Sequence, residues 1–125
     1  MADVRYTKDH EYVRIEGDEG VVGVSDYAQK QLGDVVFAEP PAVGRKLKAG
    51  EAAAVVESVK AASDVFAPVS GEVVAINSDV DSSPGIINED PLGRGWLFRL
   101  KLANRDDLSM LMDEAAYADY LKTLG

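Results

Sequence analysis

Hydrophobic and polar residues alternate along several parts of the chain with the two-residue period of half-buried β-strands. Residues 12–16 and 21–24 form two such runs, and the Gly-bounded segment 17–20 between them predicts a hairpin turn. Residues 96–102 alternate most clearly, because Trp96 and every second residue after it are apolar. These patterns predict antiparallel strands near the start of the chain and a strand near its end that closes the sheet.

The middle of the chain predicts shorter strands. Residues 34–38 are rich in Val and Phe, and Pro40 and Pro41 end this strand because proline cannot donate to a ladder. A loop is predicted over residues 44–50. Three more β-rich pieces follow in quick succession: 52–59, 63–68 and 72–77.

Helix signals occur on either side of these strands. Ser25 or Asp26 can cap a helix of barely two turns, and Gly33 gives it a C-terminal stop. Residues 77–95 are polar and contain Pro-Gly and Asp-Pro breakers, so they predict a surface loop with a helical turn around Ile86.

After the last strand the chain is predicted to be helical, starting at Asn104 or Asp106 and continuing with a second helix over 114–124. The predicted fold class is mostly β: a flattened barrel or sandwich of two antiparallel sheets, with a short helix in the N-terminal half and helices at the C-terminus. The predicted extents are one domain over 1–125, with its core at about 6–102 and its helical segment at about 104–124.

The charge balance restricts the partners. The net charge of −9, from 22 acidic and 13 basic residues, argues against nucleic acids and anionic membranes and favours a partner with basic patches. The absence of cysteine excludes disulfides and thiolate metal sites. No apolar run approaches the ~20 residues that span a bilayer, and the first residues lack the apolar core of a signal peptide. We therefore expect a soluble, cytoplasmic protein.

One lysine stands apart in the segment E-S-V-K-A-A-S-D. Lys60 is the only Lys or Arg between Lys48 and Arg94, an interval that contains eight acidic residues. A break in the β pattern at Lys60 and Ala61 predicts that Lys60 lies at the tip of an antiparallel hairpin, although the register could differ by one residue. The predicted cross-strand pairs are Val59 with Ala62, Ser58 with Ser63, and Glu57 with Asp64.

Three roles can be considered for Lys60. Most lysines are polar residues on exposed surfaces, and composition alone favours that role. A catalytic amine needs a lowered pKa, whereas the nearest charges in the sequence, Glu57 and Asp64, favour the charged ammonium. A target of covalent modification needs an exposed amine on a tight turn with small neighbours, and Ser58 and Ala61 supply them.

The segment E-S-V-K-A-A-S-D-V-F-A-P-V-S-G-E-V-V resembles the lipoyl-lysine hairpin of the glycine cleavage system H-protein family. Three further segments resemble the same family: Y-T-K-D-H-E-Y-V, G-V-S-D-Y-A-Q-K-Q-L-G-D-V-V-F and N-E-D-P-L-G-R-G-W-L. The likeness extends from about Tyr6 to Leu102. It implies a lipoyl/biotinyl-carrier fold, with lipoic acid attached covalently to Lys60 by a lipoate-attaching enzyme.

The resemblance also implies a carrier that performs no catalysis itself. A pyridoxal-phosphate (PLP) glycine decarboxylase would load an aminomethyl group onto the lipoyl sulfur. A tetrahydrofolate-dependent aminomethyltransferase would then remove that group, and a flavin (FAD) dihydrolipoyl dehydrogenase would reoxidise the dithiol. We expect a monomer that forms transient complexes with these enzymes.

The resemblance places Glu11 and Asp64 near the loaded arm, where their carboxylates would hold a cationic amine, and it places Glu57 near the attachment point. Solvated charges at strand ends are an equally good interpretation of Glu11 and Asp64. The single histidine, His10, has no second His or Cys beside it in the sequence and is assigned no catalytic or metal-binding role.

Three alternatives stay open from the sequence. Biotin-carrier domains and acyltransferase lipoyl domains share a lysine-tipped hairpin, although Val59 and Ala61 fit neither pattern well. An H-like relay could pass lipoyl groups to other lipoylated enzymes. An acidic interaction module could use an unmodified Lys60.

Overall fold

A computed structural model describes residues 3–124, apart from the side chain of residue 105. Residues 1, 2 and 125, which the single-domain prediction includes, lie outside the described residues. Within that range the strands are β1 (Asp3–Tyr6), β2 (Glu11–Glu16), β3 (Glu19–Val24), β4 (Val35–Glu39), β5 (Lys46–Leu47), β6 (Ala52–Ser58), β7 (Ala62–Phe66), β8 (Gly71–Ile76) and β9 (Phe98–Leu102). The helices are α1 (Asp26–Leu32), α2 (Asp79–Ser82), α3 (Ile86–Glu89), a 3₁₀-helix (Arg105–Met110) and α4 (Glu114–Thr123).

The strands form two antiparallel sheets that do not close into a barrel. The larger sheet has the order β1-β2-β3-β9-β8-β5, and the smaller one has the order β4-β6-β7. The prediction of a mostly β fold with two antiparallel sheets is therefore confirmed. The predicted hairpin at the start is β2 and β3, whose last pair is Glu16 with Glu19. Gly17 begins the turn between them with φ 67°, a conformation that glycine adopts without steric cost.

The hydrophobic core lies between the two sheets. The larger sheet contributes fully buried side chains such as Val22 and Phe98, and the smaller sheet contributes Val56 and Val65. Removing this apolar surface from water stabilises the fold by roughly 25 cal/mol per Å². A second cluster of tyrosines packs α4 against β1 and β2, where the rings of Tyr6 and Tyr117 are stacked with centroids 4.2 Å apart.

Helix α1 forms as the sequence predicts. The Ser25 hydroxyl accepts a hydrogen bond from the Ala28 amide and caps the helix. Gly33 ends it with φ 76°. The predicted helical turn around Ile86 is also confirmed, as α3.

Several predicted boundaries are wrong. Strands β1 and β5 were not predicted, because each is too short to show a period of its own. The last strand begins at Phe98 rather than Trp96, and Leu97, which the alternation places outward, is fully buried. The first C-terminal helix is a 3₁₀-helix. Among the described residues, no helix is both long enough and apolar enough to cross a membrane.

Candidate functional site

Lys60 lies in the turn between β6 and β7, and its side chain is exposed. The turn is closed by Ser58, whose backbone amide donates to the Ala61 carbonyl over 2.8 Å. The Ser58 hydroxyl also accepts hydrogen bonds from the amides of Lys60 and Ala61, at 3.1 and 3.2 Å. A serine side chain that bonds the backbone two and three residues ahead replaces the Gly or Asn that tight turns often use. The predicted position of Lys60 at the tip is therefore confirmed.

The predicted register of this hairpin is wrong. Glu57 lies opposite Ala62 and Val55 lies opposite Asp64, so Glu57 does not face Asp64. The turn runs from Ser58 to Ala61, with Val59 and Lys60 at its centre, so it begins one residue earlier than predicted, where the Ser58 hydroxyl bonds the backbone. The shift is two residues along one strand, which keeps each side chain on its predicted face.

The turn is fixed to the end of α1. The amide of Val59 donates to the Asp34 carbonyl over 3.0 Å. Gly33 lies beside Lys60, since a Cβ atom at Gly33 would be 3.5 Å from Lys60 Cε. The aliphatic part of the lysine therefore passes close to the helix terminus, and Nζ has no hydrogen bond or ion pair within the described part of the chain.

Asn88 of α3 holds this helix end from behind. Its side-chain oxygen accepts from the Val35 amide at 2.8 Å, and its side-chain nitrogen donates to the Gly33 carbonyl at 2.9 Å and to Gln29 Oε1 at 3.0 Å. One side chain thus satisfies three polar groups where α1 passes into β4. The sequence pattern gave no reason to single out Asn88, because its partners lie more than fifty positions away.

A cleft of about 200 Å³ opens between α1, the start of β2 and the edge strand β7. Three acidic residues line it: Asp9, Glu11 and Asp64. Its other lining residues are His10, Val24, Ala28, Gln31, Leu32, Val56, Ser63 and Val65. No Lys or Arg of residues 3–124 lines the cleft, so its walls combine apolar surface with negative charge. Such a cleft is suited to a slender ligand that carries a positive charge.

Glu11 is the buried acid of the cleft, with 3% of its surface exposed. Its carboxylate accepts hydrogen bonds from Thr7 Oγ1 at 2.6 Å and from the Phe66 amide at 3.4 Å. Burial raises the pKa of Glu11 from 4.5 to about 7, and these hydrogen bonds only partly oppose that shift. Near neutral pH the cleft therefore holds a carboxyl group that a neighbouring cation would ionise.

The four predicted site residues divide into two groups. Glu11 and Asp64 line the same cleft although they are distant in sequence. Lys60 and Glu57 lie outside its lining, at the hairpin tip and next to it. Leu32 lines the cleft and immediately precedes Gly33, which lies beside the Lys60 side chain. Lys60 is therefore close to the wall of the cleft that α1 forms.

His10 also lines the cleft, which the sequence did not indicate. Its Nδ1 lies 2.7 Å from the Tyr117 hydroxyl, and that hydroxyl lies 2.7 Å from Ser25 Oγ. Burial lowers the pKa of His10, while Asp9 partly opposes the shift. The tyrosine of α4 thus connects the loop before β2 with the N-terminal cap of α1, which are two walls of the cleft. Within residues 3–124 no group of His, Asp or Glu side chains is arranged to hold a metal ion.

Comparison with known families decides the assignment. The model of the glycine cleavage H-protein family matches residues 4–124. The chain belongs to this family. The glycine cleavage system H protein of Beijerinckia indica is 61% identical over 124 residues, which cover 99% of this chain and 100% of that protein. The H protein of Xanthobacter autotrophicus is also 61% identical, with 99% of each chain covered.

A solved structure gives the same result for the fold. The crystal structure of a glycine cleavage system H protein from Mycobacterium marinum matches with a TM-score of 0.88 and 36% sequence identity, and the match covers 96% of this chain and 97% of that one. The resemblance drawn from the lysine hairpin is therefore confirmed. Membership of the H-protein family also favours this assignment over biotin carriers and acyltransferase lipoyl domains.

Proposed function

We propose that Lys60 is the attachment point of lipoic acid, joined as an amide to Nζ. As a member of the H-protein family, the chain is the carrier component of the glycine cleavage system and works with the other components of that system. It is a carrier and not an enzyme. The observation that carries the proposal is the exposed amine of Lys60 on a turn that Ser58 and Asp34 hold in place.

The residues around Lys60 fit this modification. Ser58, Ala61 and Ala62 close to it have small side chains, which leave space around the amine for an enzyme. The lysine stem lies over Gly33, which adds no side chain to the path. A lipoyl group bound here would supply a disulfide that can be reduced and can accept an aminomethyl group.

The cleft gives this chain a means of retaining a cationic amine. We propose that Glu11 and Asp64 attract such a group, with Glu11 ionised by the approaching positive charge. The apolar residues Leu32, Val56 and Val65 exclude water from one side of it. Glu57, at the tip, would act on the attachment step rather than in the cleft, because it does not line the cleft.

The proposed partners are those that membership of the H-protein family implies. They are the PLP-dependent glycine decarboxylase, the tetrahydrofolate-dependent aminomethyltransferase, the FAD-containing dihydrolipoyl dehydrogenase and a lipoate-attaching enzyme. A tethered group meets each of these in turn at a high effective concentration, so each complex can be brief.

The intact mass of the protein produced in a host that attaches lipoate tests the proposal. We expect the wild-type chain to gain one lipoyl mass and Lys60→Arg to gain none. Lys101→Arg, which changes an exposed lysine in the larger sheet, serves as the matched control and should be modified normally. Wild-type protein without added mass would favour the unmodified interaction module. Modification of the Lys60→Arg variant would assign the attachment to another residue.

A further inference from the structure

Strand β4 contains a β-bulge next to the Lys60 turn. Val35 pairs with Ser58 and Phe37 pairs with Glu57, so the residue between them, Val36, has no cross-strand partner. The extra residue breaks the alternation of the strand, and both Val36 and Phe37 face solvent, 56% and 40% exposed. Bulges near functional sites commonly redirect side chains in this way.

A third exposed apolar residue adjoins this pair. Val59, in the turn itself, is 68% exposed, and its amide is hydrogen-bonded to the Asp34 carbonyl just before β4. Residues 34–37 and 57–60 therefore lie side by side at one end of the smaller sheet. We call the three side chains Val36, Phe37 and Val59 the bulge patch. Val35 and Ala38 of β4 are buried and make the contacts of this strand with the hydrophobic core. The core therefore does not account for the apolar side chains of Val36 and Phe37.

The bulge patch is bordered by negative charge. Asp34, Glu39 and Glu57 are exposed around it, and none of the ion pairs formed within the described part of the chain includes them. An apolar centre inside a charged rim is the usual composition of a protein interface. The sign of the rim selects a partner whose own rim is basic.

We propose that the bulge patch is the docking surface of the enzyme that acylates Lys60, and that this enzyme offers an apolar socket within a basic rim. The inference rests on the proposed function. The position of the patch selects this partner among those that a carrier meets. A bare lysine side chain is short, so an acylating enzyme must reach the turn itself and contact its neighbours. Partners that act on a loaded arm need only reach the far end of that arm.

The reaction at Lys60 needs an activated lipoyl group, which a lipoate-attaching enzyme forms from lipoate and ATP as an acyl-adenylate. The Nζ ammonium loses a proton to the enzyme or solvent, and the free amine attacks the acyl carbon. The C–N bond of the amide forms, the bond from the acyl carbon to the adenylate oxygen breaks, and AMP leaves with that electron pair. The bulge patch contributes only to binding in this scheme.

Steady-state acylation kinetics test the proposal. The unmodified carrier is titrated against a lipoate-attaching enzyme with lipoate and ATP, and the modified fraction is measured by intact mass. We expect Phe37→Ser to raise KM for the carrier roughly fivefold to thirtyfold, as loss of an aromatic anchor does, with kcat changed less than about twofold. Ile76→Ser is the matched control, because Ile76 is also 40% exposed but lies in β8 of the other sheet. Its KM should equal that of the wild type.

Two further measurements distinguish the outcomes. Val36→Ser should also raise KM for the carrier. Phe37→Leu should raise KM less than Phe37→Ser does, because leucine keeps part of the apolar surface. These two variants keep the test valid if circular dichroism shows that Phe37→Ser folds poorly. Raising the salt concentration should raise the wild-type KM, because the acidic rim is screened. Equal KM values for Val36→Ser, Phe37→Leu and Ile76→Ser would overturn the docking surface and leave the proposed function intact. No acylation of the wild type would overturn both.

Discussion

The substitution Glu11→Gln tests the electrostatics of the cleft directly. Glutamine has the same shape, its oxygen can accept from the Phe66 amide, and its nitrogen can donate to Thr7 Oγ1. It cannot ionise. The folded protein raises the pKa of Glu11 from 4.5 to about 7. A difference of that size corresponds to about 3 kcal/mol between the folded and unfolded states.

The sign of the pH dependence follows from proton binding. Between pH 4.5 and about pH 7 the folded protein keeps the Glu11 proton and the unfolded chain loses it. The free energy of unfolding of the wild type therefore falls as pH rises through this range. Above about pH 7 the carboxyl is ionised in both states, and the free energy of unfolding falls no further on account of Glu11. We expect Glu11→Gln to match the wild type near pH 4.5 and to be more stable by about 3 kcal/mol near pH 8.

Urea denaturation at a series of pH values measures this difference, since all other titrating groups cancel between the two proteins. Glu72→Gln, an exposed acid in β8, is the control and should show no such trend. A stability difference between Glu11→Gln and the wild type that stays constant with pH would show that the carboxyl titrates normally, and the argument from burial would fail.

The same variant should lose function as it gains stability. In the glycine decarboxylation cycle, Glu11→Gln and Asp64→Asn should each release the carried amine faster than the wild type, because the cleft loses negative charge. Sites tuned for function commonly trade stability in this way. Unchanged turnover in both variants would leave these residues as ordinary solvated or buried acids.

Two further predictions concern the side chains that hold the walls of the cleft and the base of the turn. Tyr117→Phe removes a hydroxyl that lies 2.7 Å from both His10 Nδ1 and Ser25 Oγ, and it should lower the free energy of unfolding by about 1–3 kcal/mol, measured by thermal denaturation. The Tyr120 hydroxyl lies 3.5 Å from the Lys8 carbonyl, so the control Tyr120→Phe should lower it by less than about 0.5 kcal/mol. Equal losses would contradict the linking role of Tyr117. Asn88→Ala removes three hydrogen bonds and should lower the free energy of unfolding by about 2–3 kcal/mol, measured by urea denaturation. It should also slow lipoylation. The control Glu89→Ala changes an exposed neighbour and should leave the free energy of unfolding nearly unchanged. Normal stability of Asn88→Ala would show that the helix end does not depend on it.

Local patterns in the sequence predicted the features that neighbouring residues decide. The hairpin around Gly17, the short helix from Ser25 to Gly33 and the exposed tip at Lys60 all depend on groups within a few positions of one another. Each was found where the sequence places it. The acids nearest to Lys60 in the sequence, Glu57 and Asp64, lie on the two strands of its hairpin.

Features that depend on tertiary contacts could not be predicted from local patterns, and only the family resemblance placed Glu11 and Asp64 near the same arm. Glu11 and Asp64 come together only when β2 and β7 pack around the same cleft. The contact of Tyr117 with His10 spans 107 positions, and no periodicity indicates it. The register of the hairpin was missed because it depends on how one serine hydroxyl bonds the backbone, and the bulge at Val36 depends on how β4 pairs with β6.

The short segment 33–37 bears on two requirements of a lysine carrier: access of an enzyme to the bare amine and the position of the loaded arm. Gly33 ends α1 beside the lysine stem, and the carbonyl of Asp34 fixes the turn through Val59. The same segment then presents Val36 and Phe37 on the outer side of the sheet, while Leu32, one residue before it, lines the cleft. Under the proposed function, this single stretch of backbone, held by Asn88, would determine both how an enzyme reaches the bare amine and where a loaded arm could turn. Because both depend on the same hydrogen bonds, loosening this segment should impair attachment and retention together, whereas a change confined to the bulge patch should impair attachment alone.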